Sequence, residues 1–163
     1  MAILTNMVFD RTQADVDALI SIMTKANAEG FDALTVEELD FIKVAQKGAY
    51  NAEDINRVVS AFATLVSDLA AEGYPVTLAG TIPTKSASGL LLDTEGEIYL
   101  QNVEIIRSAL PVFDDTPPTP STMNNLTFQK ANDIEKILYD VSVAIQNMID
   151  AYFFCGELYC GEV

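Results

Sequence analysis

The chain contains no histidine and no tryptophan, and Lys and Arg together number only 9 of 163 residues, against 24 Asp and Glu. Without histidine it lacks the usual general base, the commonest transition-metal ligand and the side chain that titrates near neutral pH. With so few cations and a formal net charge of −15, it has no cluster of Lys and Arg with which to hold phosphates, which argues against nucleic acid as a partner. Attachment to an anionic membrane surface is disfavoured for the same reason. No apolar run approaches the ~18–20 residues needed to span a bilayer. The opening Met1-Ala2-Ile3-Leu4-Thr5-Asn6 lacks the basic start of a secretion signal, so a cytosolic origin is expected. Phosphate loops, dinucleotide fingerprints and nucleophile elbows are missing too.

What is present is apolar and helical. Half of the residues are hydrophobic, enough for one domain with a real core. Thr12 opens a first segment, with Asp15 three residues on, Val16, Leu19, Ile20 and Met23 at helical spacing, and Gly30 at its end. Thr35 to Glu38 is a capping box ahead of Leu39, Ile42 and Ala45, with Leu34 and Leu39 placed as a hydrophobic staple and Gly48 as the stop. Asn51 with Asp54 caps a third helix whose stripe is Ile55, Val58, Val59, Phe62, Leu65, Val66 and Leu69, closed by Gly73.

The pattern breaks from Tyr74 to Leu92. Val76-Thr77-Leu78 reads as strand, and Gly80, Pro83, Ser86, Ser88 and Gly89 as a loop or short hairpin. Thr94 with Glu97 predicts a further helix through Ile98, Tyr99, Val103 and Ile106 to about Leu110. A hairpin of Leu90–Leu92 against Ile98–Leu100 is the rival reading. Residues 111–121 form a stiff Pro-rich connector. Thr127 then caps the longest helix, with Ile134, Ile137, Leu138, Val141, Ala144, Ile145, Met148, Ile149, Tyr152 and Phe153 on its apolar face. Asp133, Lys136, Asp140, Asn147 and Asp150 occupy the opposite face, so truncating Lys136 is expected to cost under about 0.5 kcal/mol.

Chemistry is sparse. Glu37-Glu38 and Asp114-Asp115 are adjacent pairs whose side chains point apart on a helix, and they read as solvated faces rather than acid/base dyads. Asp114-Asp115 beside Thr116 lacks the alternation of a calcium loop. Tyr99, Tyr139 and Tyr152 read as packing residues with a polar tip. Arg57 and Arg107 are lone cations on helices, placed either for internal salt bridges or for an acidic partner surface. No catalytic, cofactor-binding or metal-binding residue is predicted, and the chain reads as non-enzymatic.

The end of the chain is patterned. Phe154-Cys155-Gly156-Glu157-Leu158 is followed by Tyr159-Cys160-Gly161-Glu162-Val163, the same pentad twice. In an extended chain a period of five alternates the faces of successive aromatics and cysteines, which suits a segment gripped from two sides. Free termini are ordinarily polar, so this one is expected to dock, either on its own bundle or on a partner. Phe154, Cys155, Leu158, Tyr159, Cys160 and Val163 are the candidate partner-binding residues. The two cysteines stand open between small buried residues, a disulfide across a sharp turn, and ligands of a metal site that would need two further donors.

Several strings in order resemble a family of small virion structural proteins encoded in the tail modules of tailed bacteriophages and prophages. They are Phe9–Val16, Lys47–Val58, Tyr74–Thr77, Tyr99–Val103, Leu126–Leu138 and the terminal pentads. Lys-Gly-Ala-Tyr-Asn and Ala-Asn-Asp-Ile-Glu-Lys-Ile-Leu are the more specific among them. The sequence departs from the family in having Cys155 and Cys160 where Ser is expected, and in lacking Trp and acidic residues across 81–92. The resemblance implies a tail or baseplate component of the virion, assembled in the host cytoplasm and non-catalytic, an adaptor for neighbouring tail proteins or receptor-binding fibres, in contact with copies of itself.

The expected fold is mainly α, a helical bundle of about five helices with a small extended or β insertion and extended termini. The expected organisation is an N-terminal arm over 1–11, a helical domain over 12–153 with its irregular insertion at 74–92, and a C-terminal arm over 154–163. The alternative function is a soluble cytosolic helical adaptor or regulator that binds a protein partner through its apolar C-terminal tail.

Overall fold

A computed structural model describes residues 3–44, 47–86 and 91–156. It is mainly α, with helices α1 (Gln13–Glu29), α2 (Val36–Val44), α3 (Ala52–Ala71), α4 (Asp93–Arg107) and α5 (Phe128–Gly156) and one 3-10 turn at Phe31–Ala33. The predicted caps of α1 to α3 are in place. Thr12 and Asp15 exchange side-chain-to-backbone bonds, as do Asn51 with Asp54 and Thr35 with Glu38. Gly30 and Gly73, at φ 91° and 88°, turn the chain out of α1 and α3 in the region that favours glycine.

The core is the junction of α3, α4 and α5. Val58, Leu65, Leu69, Tyr99, Val103, Ile106, Ile134, Ile137, Leu138, Val141 and Ile145 are wholly buried there. Phe62 meets Tyr99 edge-on, with ring centroids 5.5 Å apart, a favoured aromatic geometry. The helical reading of 93–107 holds, and its start differs from expectation. Leu92 takes the position before the helix, its N–H bonded to Glu95 Oε2 at 2.8 Å, and Thr94 lies inside the first turn.

The expected β insertion is replaced by irregular chain, with no strand among the described residues. Val76-Thr77-Leu78 forms no ladder, and side-chain amides hold the chain that follows it. Asn102 on α4 accepts from Ala79 N–H at 2.8 Å and donates to Gly80 O at 3.0 Å. Asn56 on α3 makes the same pair of bonds with Lys85, each at 2.8 Å. Each amide offers the loop one donor and one acceptor, as a neighbouring strand would.

Helix α1 stands apart. It buries only Ala26 and leaves Ile20 58% exposed. Its links are to the 3-10 turn, to α2 through Lys25–Glu38 at 2.8 Å, and to the loop at Gly48. A β-carbon at Gly48 would sit 2.8 Å from Leu19 Cβ and closer still to the backbone carbonyl of Asp15. Gly48 was expected to stop a helix; here it lets the 47–50 loop lie against α1. Gly48→Ala should therefore cost about 1–3 kcal/mol, the range for overpacking, read as a lower urea midpoint with an unchanged slope.

Helix α5 also departs from its predicted faces. Asp140, expected on the solvated face, is buried and bonded by Thr116 Oγ1 at 2.7 Å and Lys136 Nζ at 2.7 Å. The Pro-rich connector is thereby fastened to α5. Tyr152, expected to pack, is 58% exposed, so the last turns of α5 extend beyond the core. The helix continues to Gly156, three residues into the segment expected to be an extended arm.

Candidate functional site

Residues 3–12 are non-helical and run antiparallel to α5 as a strap. Leu4 N–H bonds Ser142 Oγ at 3.2 Å, Val8 N–H bonds Glu135 Oε2 at 2.7 Å, and Arg11 N–H bonds Asn132 Oδ1 at 3.1 Å. Asn132 returns a bond to Arg11 O at 2.9 Å. Phe9 packs on the Tyr139 ring at 5.2 Å, and Met7 is buried in the core.

The strap ends in a buried cluster of four charges. Arg11 Nη2 donates to Asp54 Oδ1 at 2.8 Å and to Glu135 Oε1 at 2.7 Å. Arg57 donates to Glu135 through Nε at 2.9 Å and Nη2 at 2.8 Å, and also pairs with Asp54. Glu135 is completely buried and accepts four hydrogen bonds; Arg11 and Asp54 are also buried. Two cations and two anions cancel, and this pairing offsets the desolvation of each charge. Burial acts to lower the Arg57 pKa, but Glu135 and Asp54 more than reverse that and raise it. Arg57 is therefore an internal salt-bridge residue. Arg107 bonds a carbonyl instead, Nε to Pro117 O at 3.0 Å.

Tyr50 lies beneath the Arg11 guanidinium, 5.4 Å from ring centroid to Cζ, and its hydroxyl meets that of Tyr99 at 2.5 Å. Burial pushes both phenols well above their usual range. Their raised values contribute stability that is present below pH ~10, the unfolded value, and is lost as pH rises further. In an alkaline titration followed at 295 nm, two of the six tyrosines should stay un-ionised until the protein unfolds. A single titration step for all six before loss of helical signal would contradict the burial of this pair.

Two clefts flank these elements. The larger, about 530 Å³, lies between α4 and residues 119–124, with Leu92, Gly96, Glu97, Gln101 and Met123 in its walls. The smaller, about 260 Å³, lies beside the strap lock and is lined by Arg11, Gln13, Val16, residues 47–50, and Leu126 to Gln129 with Ala131. Three helices begin at or next to it: α1 at Gln13, α3 just after Tyr50, and α5 at Phe128.

The predicted partner-binding residues are at the other end of α5. Phe154 and Cys155 lie on its last turn, and Leu158, Tyr159, Cys160 and Val163 fall outside the described residues, as do all six side chains. Sequence reading missed Arg11, Asp54 and Glu135 as a unit. The available signal was a carboxylate within an apolar stripe: Glu135 shares a helical face with Ala131, Leu138 and Ser142, and Asp54 with Val58, Ala61 and Leu65. Asp115, of the adjacent pair that lacks the alternation of a calcium loop, faces Lys136 at 3.3 Å. Among the described residues no three acidic or thiol groups gather as a metal site, and no helix is long and apolar enough to cross a membrane. No protein-family model, curated protein sequence or solved structure matches this chain.

Proposed function

We propose that the chain is a structural component of a tailed-phage virion, a tail or baseplate adaptor that works by contact and carries no catalysis. What supports this reading is the ordered set of strings that resemble that family. Three of them, Phe9–Val16, Lys47–Val58 and Leu126–Leu138, supply the four charges of the buried cluster, Arg11, Asp54, Arg57 and Glu135, together with Tyr50 and Asn132 beside them. A lock of paired buried charges specifies one arrangement of strap, α3 and α5, which suits a part that must present the same surfaces in many copies. The partners on this reading are other tail, baseplate or fibre proteins and copies of the chain itself, within the virion.

The test is proteomics of purified particles from the phage or prophage that encodes the chain. The chain should be present in fixed ratio to known tail proteins, and removal of Glu157–Val163 should leave helical circular dichroism unchanged while abolishing incorporation. A chain abundant in the lysate and absent from washed particles would refute the reading.

A further inference from the structure

The larger cleft, about 530 Å³, falls within the ~300–1,000 Å³ of ligand-sized sites and shares no residue with the strap or its charge cluster. One wall is a face of α4, with Gly96, Glu97, Leu100, Gln101 and Glu104; the other is the non-helical chain 119–124. The walls are fastened at both ends. Thr119 Oγ1 donates to Glu104 Oε2 at 2.5 Å, and Met123 packs so near Gly96 that a β-carbon there would lie 3.3 Å from Met123 Cγ. Between these ties Leu91, Leu100 and Met123 supply apolar surface, and Leu92 beside them is 62% exposed. The cleft is therefore shaped before any partner arrives, which lowers the ordering cost of binding.

Its charge is of one sign. Asp93, Glu97 and Glu104 line it, and no Lys or Arg does. Asp93 sits in the first turn of α4, where the helix dipole already favours an anion. Glu97 is exposed and meets no cation among the described residues. Glu104 accepts from the hydroxyls of Ser108 and Thr119, which leave its charge uncompensated. Lys85 and Arg107, the cations on either side of α4 in sequence, are held by Glu95 and by Pro117 O. Glu97 and Glu104 lie about 10.5 Å apart along α4 at ~1.5 Å per residue, with Leu100 and Gln101 between them. An extended segment covers that distance in about three residues. In the facing wall, the backbone N–H groups of Thr119, Ser121 and Thr122 bond nothing among the described residues and remain available to an incoming carbonyl.

We propose that this cleft docks an extended segment of another protein, one that carries two cationic side chains three positions apart with an aliphatic residue between them. The cations meet Glu97 and Glu104, and the aliphatic side chain lies against Leu100 and Met123. A cleft lined by one sign of charge with apolar walls concentrates the field on such a segment. A second copy of the chain is a poor occupant. It brings a net charge of −15, and its Arg11, Lys25, Lys47, Arg57, Lys85 and Lys136 are already paired with carboxylates. This surface does not depend on the virion reading.

The probe is a fluorescein-labelled peptide, Gly-Lys-Leu-Leu-Lys-Gly, titrated into the full chain by fluorescence anisotropy at low salt. It should bind, with amide shifts centred on residues 96–104 and 119–124. Glu97→Lys should weaken binding at least tenfold, and so should Gln101→Trp, which fills the cleft without altering charge. Both positions are exposed, so the fold accommodates either change. Asp40→Lys on α2, the same change of charge outside the cleft, should alter binding less than twofold. Equal binding of a Glu-Leu-Leu-Glu or a Lys-Ser-Ser-Lys peptide would show that apolar surface or charge alone is read, and would overturn the proposal. So would no binding at all, or a loss from Asp40→Lys as large as that from Glu97→Lys, the mark of attraction to net charge. Dimers of the chain that Gln101→Trp abolishes would mean that a second copy fills the cleft, and would overturn it too.

Discussion

Glu135→Leu is expected to cost about 3–5 kcal/mol, the range for breaking a buried ion pair by removing one partner. Leucine fits the apolar surroundings of α5, so lost packing is not the main cause. The damage falls on the groups left behind: Arg11 and Arg57 retain only Asp54 as counter-ion, and Val8 N–H loses its acceptor. Most domains have only 5–15 kcal/mol to lose, so the variant should populate unfolded or strap-released forms. Urea unfolding gives the magnitude, and amide exchange at Leu4, Val8 and Arg11 reports the strap directly. Arg11→Met combined with Glu135→Leu should recover part of the loss, because it removes one orphaned cation together with the anion. A loss below about 1 kcal/mol for Glu135→Leu alone would mean that solvent reaches the cluster and that the lock is weak.

The second large effect is in the core. Ile137→Ala and Ile145→Ala should each cost about 2–5 kcal/mol, since both side chains are completely buried against α3 and α4. The same experiment distinguishes two readings of Lys136. On the sequence alone its truncation is nearly free, but in the structure Lys136 holds the buried Asp140 at 2.7 Å. Lys136→Ala should therefore cost about 1–3 kcal/mol, the penalty for leaving a buried polar group short of a partner. Equal, small losses in all three variants would mean that the apolar stripe of α5 faces another subunit.

The helices were legible because their ends carry local chemistry. Thr12 with Asp15, Thr35 with Glu38 and Asn51 with Asp54 satisfy first-turn N–H groups whatever the rest of the fold does. The core stripe of α3 was legible for the related reason that helical spacing alone sets which residues share a face. The loop at 74–86 was legible as a break in the helical pattern, but what holds it was not. Asn56 and Asn102 bond its backbone at Ala79, Gly80 and Lys85, and no local pattern shows which distant amide will reach a given carbonyl. Asp140 was assigned to solvent because its partners Thr116 and Lys136 become an enclosure only once the Pro-rich connector crosses α5. The cleft beside the strap could not be read from the sequence, because it is assembled from segments near residues 11, 48 and 128.

The strap also sets an order of events during synthesis. Arg11 and Glu135 lie 124 positions apart, and ribosomes add roughly 5–20 residues per second. About 6–25 s therefore pass between making the first and last charges of the cluster. Through that interval Arg11, Asp54 and Arg57 have no Glu135 to close on, and the strap has no helix to lie along. Closing so long a loop is also the entropically slow kind of contact. Docking of the strap is thus a late step that waits for α5, and the cleft beside it, which needs Arg11 and the start of α5 in place, is completed only then.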